Sequence, residues 1–96
     1  MEYLRHVAGK ESGRIVLYAL STCVWCRMTK RLLESLGVAY SYVDVDLLDS
    51  ETAAAVGREI SRWNPRQSYP TLVIDERECV LGYDEQKIRQ AVADGR

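Results

Sequence analysis

The sequence predicts a single α/β domain, a three-layer α/β/α arrangement in which a four-stranded mixed sheet carries helices on both faces. Three stretches predict it. Ile15-Val16-Leu17-Tyr18-Ala19-Leu20 is an unbroken apolar run, the pattern of a central strand covered on both sides. The segment after it repeats apolar residues at helical spacing, with Met28, Leu32, Leu33 and Leu36 on one face. Tyr40-Ser41-Tyr42-Val43-Asp44-Val45-Asp46 then alternates as a strand does, completing a strand, helix, strand unit whose strands should run parallel with a right-handed crossover.

The remaining elements follow in order. Residues 1–13 hold Gly9 and Ser12-Gly13 without a clear period and read as an arm or short frayed helix before a domain spanning 14–96. The strand at 14–20 feeds a helix from about 23 to 36, which Gly37 stops with a left-handed cap. Asp49 or Ser50 can cap a helix running to about Trp63, with Ala53, Val56, Ile60 and Trp63 inward. Asn64-Pro65-Arg66-Gln67-Ser68-Tyr69-Pro70 is a loop leading into the strand Thr71-Leu72-Val73-Ile74. Asp75-Glu76-Arg77-Glu78 reads as a polar turn and nothing more, and Cys79-Val80-Leu81 as an edge strand closing a hairpin. Gly82 ends that strand. Asp84 can cap a last helix with Ile88, Ala91 and Val92 inward and a Glu85–Arg89 pair outward.

Composition narrows the partners. At 96 residues there is material for one core and not for two. A net charge of −1 gives no broad field that would draw nucleic acid or anionic lipid, so small molecules and protein thiols are the expected partners. No apolar stretch reaches membrane-spanning length and the first residues lack the apolar core of a secretory signal, so a cytoplasmic monomer is expected. Three cysteines, an odd number, fit a reducing compartment better than a disulfide-stapled scaffold.

Two of those cysteines sit in Ser21-Thr22-Cys23-Val24-Trp25-Cys26-Arg27, where the buried strand turns into a helix. Cys23 meets unpaired backbone N–H groups and the positive end of the helix dipole, which favour thiolate over thiol. It is the expected attacking sulfur. Cys26 falls on nearly the same helix face, within reach of a short disulfide but deeper, and is the expected resolving sulfur. Arg27 and Lys30 add positive charge on the same helix, or point into water. Trp25 should be exposed beside the sulfur, where a substrate could pack on it.

The order of these parts resembles the glutaredoxin branch of the thioredoxin fold over roughly residues 14–93. Three motifs carry the resemblance together: Cys23-Val24-Trp25-Cys26, Ser68-Tyr69-Pro70 and Gly82-Tyr83-Asp84-Glu85. The resemblance implies thiol-disulfide oxidoreduction with no tightly bound cofactor. It makes Pro70 a cis-proline packed against the active-site sulfurs, with the Tyr69 backbone turned toward an incoming peptide or glutathione. It also places Gly82, Asp84 and Glu85 at the far end of the substrate groove, where relatives hold the γ-glutamyl end of glutathione. Val24 stands where proline is common, Trp25 where tyrosine is usual, and no lysine or arginine occurs from Tyr18 to Thr22. Two electron donors therefore stand side by side, glutathione and a thioredoxin-reductase-type enzyme, with disulfide-containing proteins as clients.

Other readings of the same residues remain. The resemblance also implies a carrier module, since some glutaredoxins without the intervening proline hold an iron-sulfur cluster between two chains through these sulfurs; the domain could otherwise be a redox-inert interaction module. A zinc site lacks ligands, since only Cys79 and His6 could complete it and both are distant in sequence. Cys79 reads as a small buried hydrophobe, His6 as a solvated surface residue, Asp44 and Asp46 as solvent-facing strand positions, and Tyr40 and Tyr42 as sheet cover.

Overall fold

The strand that should be buried on both sides is: every residue of Ile15–Ala19 is buried in the computed structural model, which describes residues 3–94. The first two residues of the expected arm and the last two of the expected domain lie outside the described residues. In chain order the strands are β1 (Arg5–Val7), β2 (Ile15–Ala19), β3 (Tyr40–Asp44), β4 (Thr71–Ile74) and β5 (Glu78–Leu81). The helices are α1 (Val24–Ser35), α2 (Ser50–Ser61) and α3 (Glu85–Asp94), with a 3-10 turn at Val45–Leu47.

β2 runs parallel to β3 and antiparallel to β4, in the sheet order β1-β3-β2-β4-β5. Alternation along β2 then divides the core. Ile15, Leu17 and Ala19 enter the layer under α1 and α3, where they join Leu33, Leu72, Ile74, Ile88 and Ala91. Val16 and Tyr18 enter the layer under α2 with Val43, Val56, Ile60 and Val73. This is the three-layer thioredoxin-type architecture, with each fully buried aliphatic side chain contributing about 1.5–3 kcal/mol.

The sheet has five strands, not four. The extra one lies in the expected arm: β1 pairs antiparallel with β3 and covers what would otherwise be an open edge. A three-residue strand is too short to display a period, which is why the arm reads as irregular. His6 is exposed but not merely solvated, because its Nδ1 lies 2.6 Å from Ser41 Oγ on β3. Farther along the arm, Lys10 N–H donates to Gly37 O at 2.8 Å and Lys10 O accepts from Ala39 N–H at 2.8 Å. A Cβ on Gly9 would meet Val38 C at 2.6 Å, so only glycine lets the arm lie this close.

Helix α1 buries Cys26, Thr29, Leu32 and Leu33, whereas Met28, expected inside, is 36% exposed. Turning Cys26 inward sets the helix phase, and residues three and six or seven positions on follow it. The helix ends at Ser35 with Leu36 as its C-cap, and Gly37 takes φ 71, the left-handed cap the sequence predicts. Asp49 caps α2 by accepting from Thr52 N–H at 2.8 Å and from Thr52 Oγ1 at 3.0 Å. That helix stops at Ser61, so Trp63 lies beyond it and is half-buried against the second layer rather than in the core. The hairpin turn between β4 and β5 carries Asp75 at φ 55 and Glu76 at φ 53. It is more than a turn: Asp75 Oδ1 accepts from Arg14 N–H at 2.7 Å, and Glu76 pairs with Arg14 at 3.6 Å, tying it to the start of β2.

Candidate active site

Where β2 gives way to α1 the chain makes a turn closed by Cys23 N–H donating to Leu20 O at 3.2 Å. Cys23 is the N-cap of α1, with extended backbone angles, and its Sγ accepts from the Cys26 N–H at 3.2 Å. A sulfur in that position takes up one of the N–H groups that a helix start leaves unpaired, and the bond is strongest when the acceptor is negative. Cys23 is half-buried, whereas Cys26 is 0% exposed, and both are free thiols. Burial, followed by the hydrogen bond with Cys23, pushes the Cys26 thiol up to about 12. Two chemically identical side chains three residues apart thus occupy opposite environments.

Tyr69 of the proline loop and Cys23 pack against the same core layer, the one that holds Cys26. The Tyr69–Pro70 peptide is cis, and Pro70 is fully buried. Tyr69 is half-buried and packs against both core layers. Its phenol is pushed up, first by burial and then by the negative charge that Cys26 and Asp46 carry when ionised. Pro70 O accepts from Gly82 N–H at 2.9 Å, so the second and third motifs are hydrogen-bonded to each other. Beyond Gly82, Tyr83 stacks on Trp25 with ring centroids 5.8 Å apart and planes 21° from parallel. Trp25 is 55% exposed, as its place between the cysteines suggests. Asp84 caps α3, accepting from Lys87 N–H at 3.1 Å, and Glu85 pairs with Arg89 at 2.8 Å.

Three residues take parts that sequence reasoning missed. Asn64 is buried and organises the proline loop: its Nδ2 donates to Ser68 O at 3.1 Å, Ser68 Oγ at 2.9 Å and Thr71 Oγ1 at 3.1 Å. Asparagine at the head of a Pro-containing loop was the available signal. Tyr83, the aromatic of the Gly82-Tyr83-Asp84-Glu85 motif, forms the stack with Trp25, a contact the motif by itself does not reveal. Asp46 is exposed as expected, but from the 3-10 turn rather than a strand, and it accepts from both the N–H, at 2.8 Å, and the hydroxyl of Ser21.

The other expectations divide. Asp44 is not a bare surface carboxylate but pairs with Lys30 at 3.2 Å, and the Lys30 ammonium sits 4.2 Å from the centroid of the Tyr42 ring. Tyr40 is buried and donates to Glu34 at 2.8 Å. Arg27 is exposed. Cys79, expected buried, is exposed on β5 with its Sγ 3.7 Å from Trp63 O, because of the four residues of that edge strand only Val80 turns inward. Among the described residues no group of three or more His, Cys, Asp or Glu side chains is placed to hold a metal ion. None of the described helices is long and apolar enough to cross a membrane.

Known proteins share this arrangement. The Glutaredoxin family model matches residues 15–79. The glutaredoxin of Methanosarcina mazei Go1 has a TM-score of 0.87 and 40% identity, covering 94% of this chain and 87% of that one. Methanosarcina acetivorans methanoredoxin has a TM-score of 0.85 and 45% identity, covering 88% of each chain. Among curated proteins, acetoacetate decarboxylase of Clostridium acetobutylicum is 40% identical over 57 residues, 59% of this chain but only 23% of that protein. The chain thus spans about a quarter of that relative's length and takes no activity from it. A family match that begins at the central strand and runs through the cis-proline loop, with folds agreeing over most of both chains, makes this chain a member of the glutaredoxin family.

Proposed function

We propose that the protein is a dithiol oxidoreductase that reduces protein disulfides or glutathione mixed disulfides through Cys23 and Cys26. The observation that carries this reading is the contrast between the two sulfurs. One is half-buried at a helix N-cap with a backbone N–H aimed at it, and the other is sealed beneath it. Thiol exchange needs that asymmetry, an accessible sulfur to attack and a protected one to finish.

The cycle balances as follows. The Cys23 thiolate attacks one sulfur of the substrate disulfide, the S–S bond breaks, and the departing sulfur leaves as a thiolate that takes a proton from water. Cys26 then gives its proton to water and attacks Cys23 Sγ in the mixed disulfide; the bond between Cys23 and the substrate sulfur breaks, that sulfur leaves as a thiolate and takes a proton from water, and the Cys23–Cys26 disulfide forms. Two electrons have passed to the substrate. The high pKa of Cys26 keeps it protonated until that second step, so it does not compete with Cys23 for substrate.

Around the sulfurs, the Tyr69 backbone beside Pro70 offers an extended edge for a peptide or for glutathione, and the Trp25–Tyr83 stack offers an apolar shelf. Gly82, Asp84 and Glu85 shape the far end of the groove. Glutathione is the donor that family membership supports, with a thioredoxin-reductase-type enzyme as the competing donor for a chain with Val24 and Trp25 between its cysteines.

A coupled turnover assay supplied with either donor tests the reading. Turnover with glutathione assigns glutathione, and turnover with the reductase alone assigns the reductase. Cys23→Ser should abolish turnover with both, and full residual activity in that variant would overturn the mechanism. Cys26→Ser should retain only the chemistry that one thiol can perform on glutathione mixed disulfides.

A further inference from the structure

We propose that Asp46 is a positioning residue for thiol exchange: its carboxylate fastens the Ser21 turn and thereby fixes where Cys23 presents its sulfur. The inference rests on Cys23 being the attacking sulfur.

Topology brings the two together. β2 and β3 are parallel and in register at Ala19 and Asp44, so both strands deliver their chains to the same end of the sheet. Two residues beyond each of those positions stand Ser21 and Asp46. There the sheet pairing has ended, and side-chain bonds take over. Asp46 Oδ1 accepts from the Ser21 N–H at 2.8 Å and Oδ2 from the Ser21 hydroxyl, so one carboxylate grips both donors of a single residue. Those bonds hold the Asp46 carboxyl below the usual carboxylate range, so the acceptor is an ionised group at neutral pH.

Cys23 is held on its other side by α1, through Arg27 N–H on Cys23 O at 3.1 Å and Cys26 N–H on Cys23 Sγ at 3.2 Å. Within the junction itself, the bond from Cys23 N–H to Leu20 O spans Ser21 and Thr22. The Asp46 clamp ties the tip of that turn to the neighbouring strand's exit. Without it, the turn and the Sγ beyond it gain freedom just where exchange demands an in-line approach to a disulfide. The clamp joins residues 25 apart in sequence, and it leaves the core layers untouched.

Removing Asp46 changes two things at once, the clamp and a nearby negative charge. Two variants separate them. Asp46→Asn loses the charge but keeps a carbonyl oxygen that can accept from Ser21; Asp46→Ala loses both. The measurement is the rate at which the reduced full chain reacts with a small symmetrical aromatic disulfide at neutral pH. A Cys79→Ser background silences the exposed third thiol, and thermal unfolding is recorded alongside. Asp46→Ala should react about tenfold slower than Asp46→Asn, with both variants unfolding at similar temperatures. Ser21→Ala should also be slower than the parent, and Ser21→Ala combined with Asp46→Ala no slower than Asp46→Ala alone. Equal rates for the alanine and asparagine variants, or additive losses in the double variant, would overturn the proposal. Should Asp46→Ala fail to fold, Ser21→Ala decides alone, and a rate equal to the parent's overturns it. Cys23→Ser in the same assay separates this failure from failure of the parent reading, because loss of reaction there keeps Cys23 as nucleophile whatever Asp46 does.

Discussion

At Cys23 and Cys26 the chain sets one thiol at a helix cap and buries the other, and the difference should be directly visible in labelling. Iodoacetamide applied to the reduced native protein should modify Cys23 and the exposed Cys79, leaving Cys26 slower by on the order of a hundredfold until denaturant is added. Mass spectrometry of digested protein checks it, and equal labelling of all three would contradict the burial argument. This pair was legible in the sequence because its geometry is local: three residues along a helix start fix which sulfur is outside. Tyr69 and Pro70 were legible through their motif. Asp46 and Asn64 were not, because their partners are set by loop geometry, and in the case of Asp46 by a strand register joining residues far apart in sequence. Cys79 went wrong for a related reason. In a strand of four residues either alternation fits: the register turns Val80 with Leu72 into the layer under α1 and α3, and Cys79 with Val73 to the opposite face, where the edge strand is left exposed.

At the scale of elements, helices and the central strand followed from periodicity, while the arm and the phase of α1 did not. β1 exists because β3 offers an unpaired edge, a cause that lies in the sheet and not in residues Arg5–Val7. Met28 and Cys26 were both candidates for the inner face of α1; Cys26 took it, and Thr29 turns inward with it. The Thr29 hydroxyl survives in the core because it donates to Trp25 O at 2.9 Å. The proline loop gives the sharpest test at this scale. Asn64→Ala removes the donor shared by Ser68 and Thr71 inside a buried loop, and should lower stability by about 1–3 kcal/mol. Denaturant titration measures that loss. The same variant should turn over disulfide substrate more slowly than the parent, since Tyr69 and Pro70 are carried by the loop it loosens; an unchanged midpoint would mean the loop is held by other contacts.

For the molecule as a whole, alkaline pH is the condition that probes both core layers. Cys26 lies in the layer under α1 and α3, where its thiol is raised from 9.0 to about 12. Tyr18 lies in the other layer and donates to Glu59 at 3.2 Å, as Tyr3 does at 2.7 Å. Burial and the Glu59 carboxylate push Tyr3 from 10.0 to about 12 and Tyr18 further, and burial beside Glu34 raises Tyr40 likewise. In each case the folded state keeps a proton that the unfolded chain releases earlier. Stability from these groups is therefore complete below pH 9 and is lost as pH rises through about 12. The reduced protein should lose stability from pH 9 onward. The oxidised protein, which has no Cys26 proton to lose, should start nearer pH 10, and identical profiles for the two would contradict the assignment of Cys26 as a buried thiol. The division of labour between the sulfurs is tested most directly by trapping. Incubated with a disulfide-bearing protein and quenched in acid, the Cys26→Ser variant should accumulate a mixed disulfide that peptide mapping places on Cys23, while the parent yields the Cys23–Cys26 bond and a released client. A client found on Cys26 in the parent, or no Cys23–Cys26 bond at any time, would contradict the account.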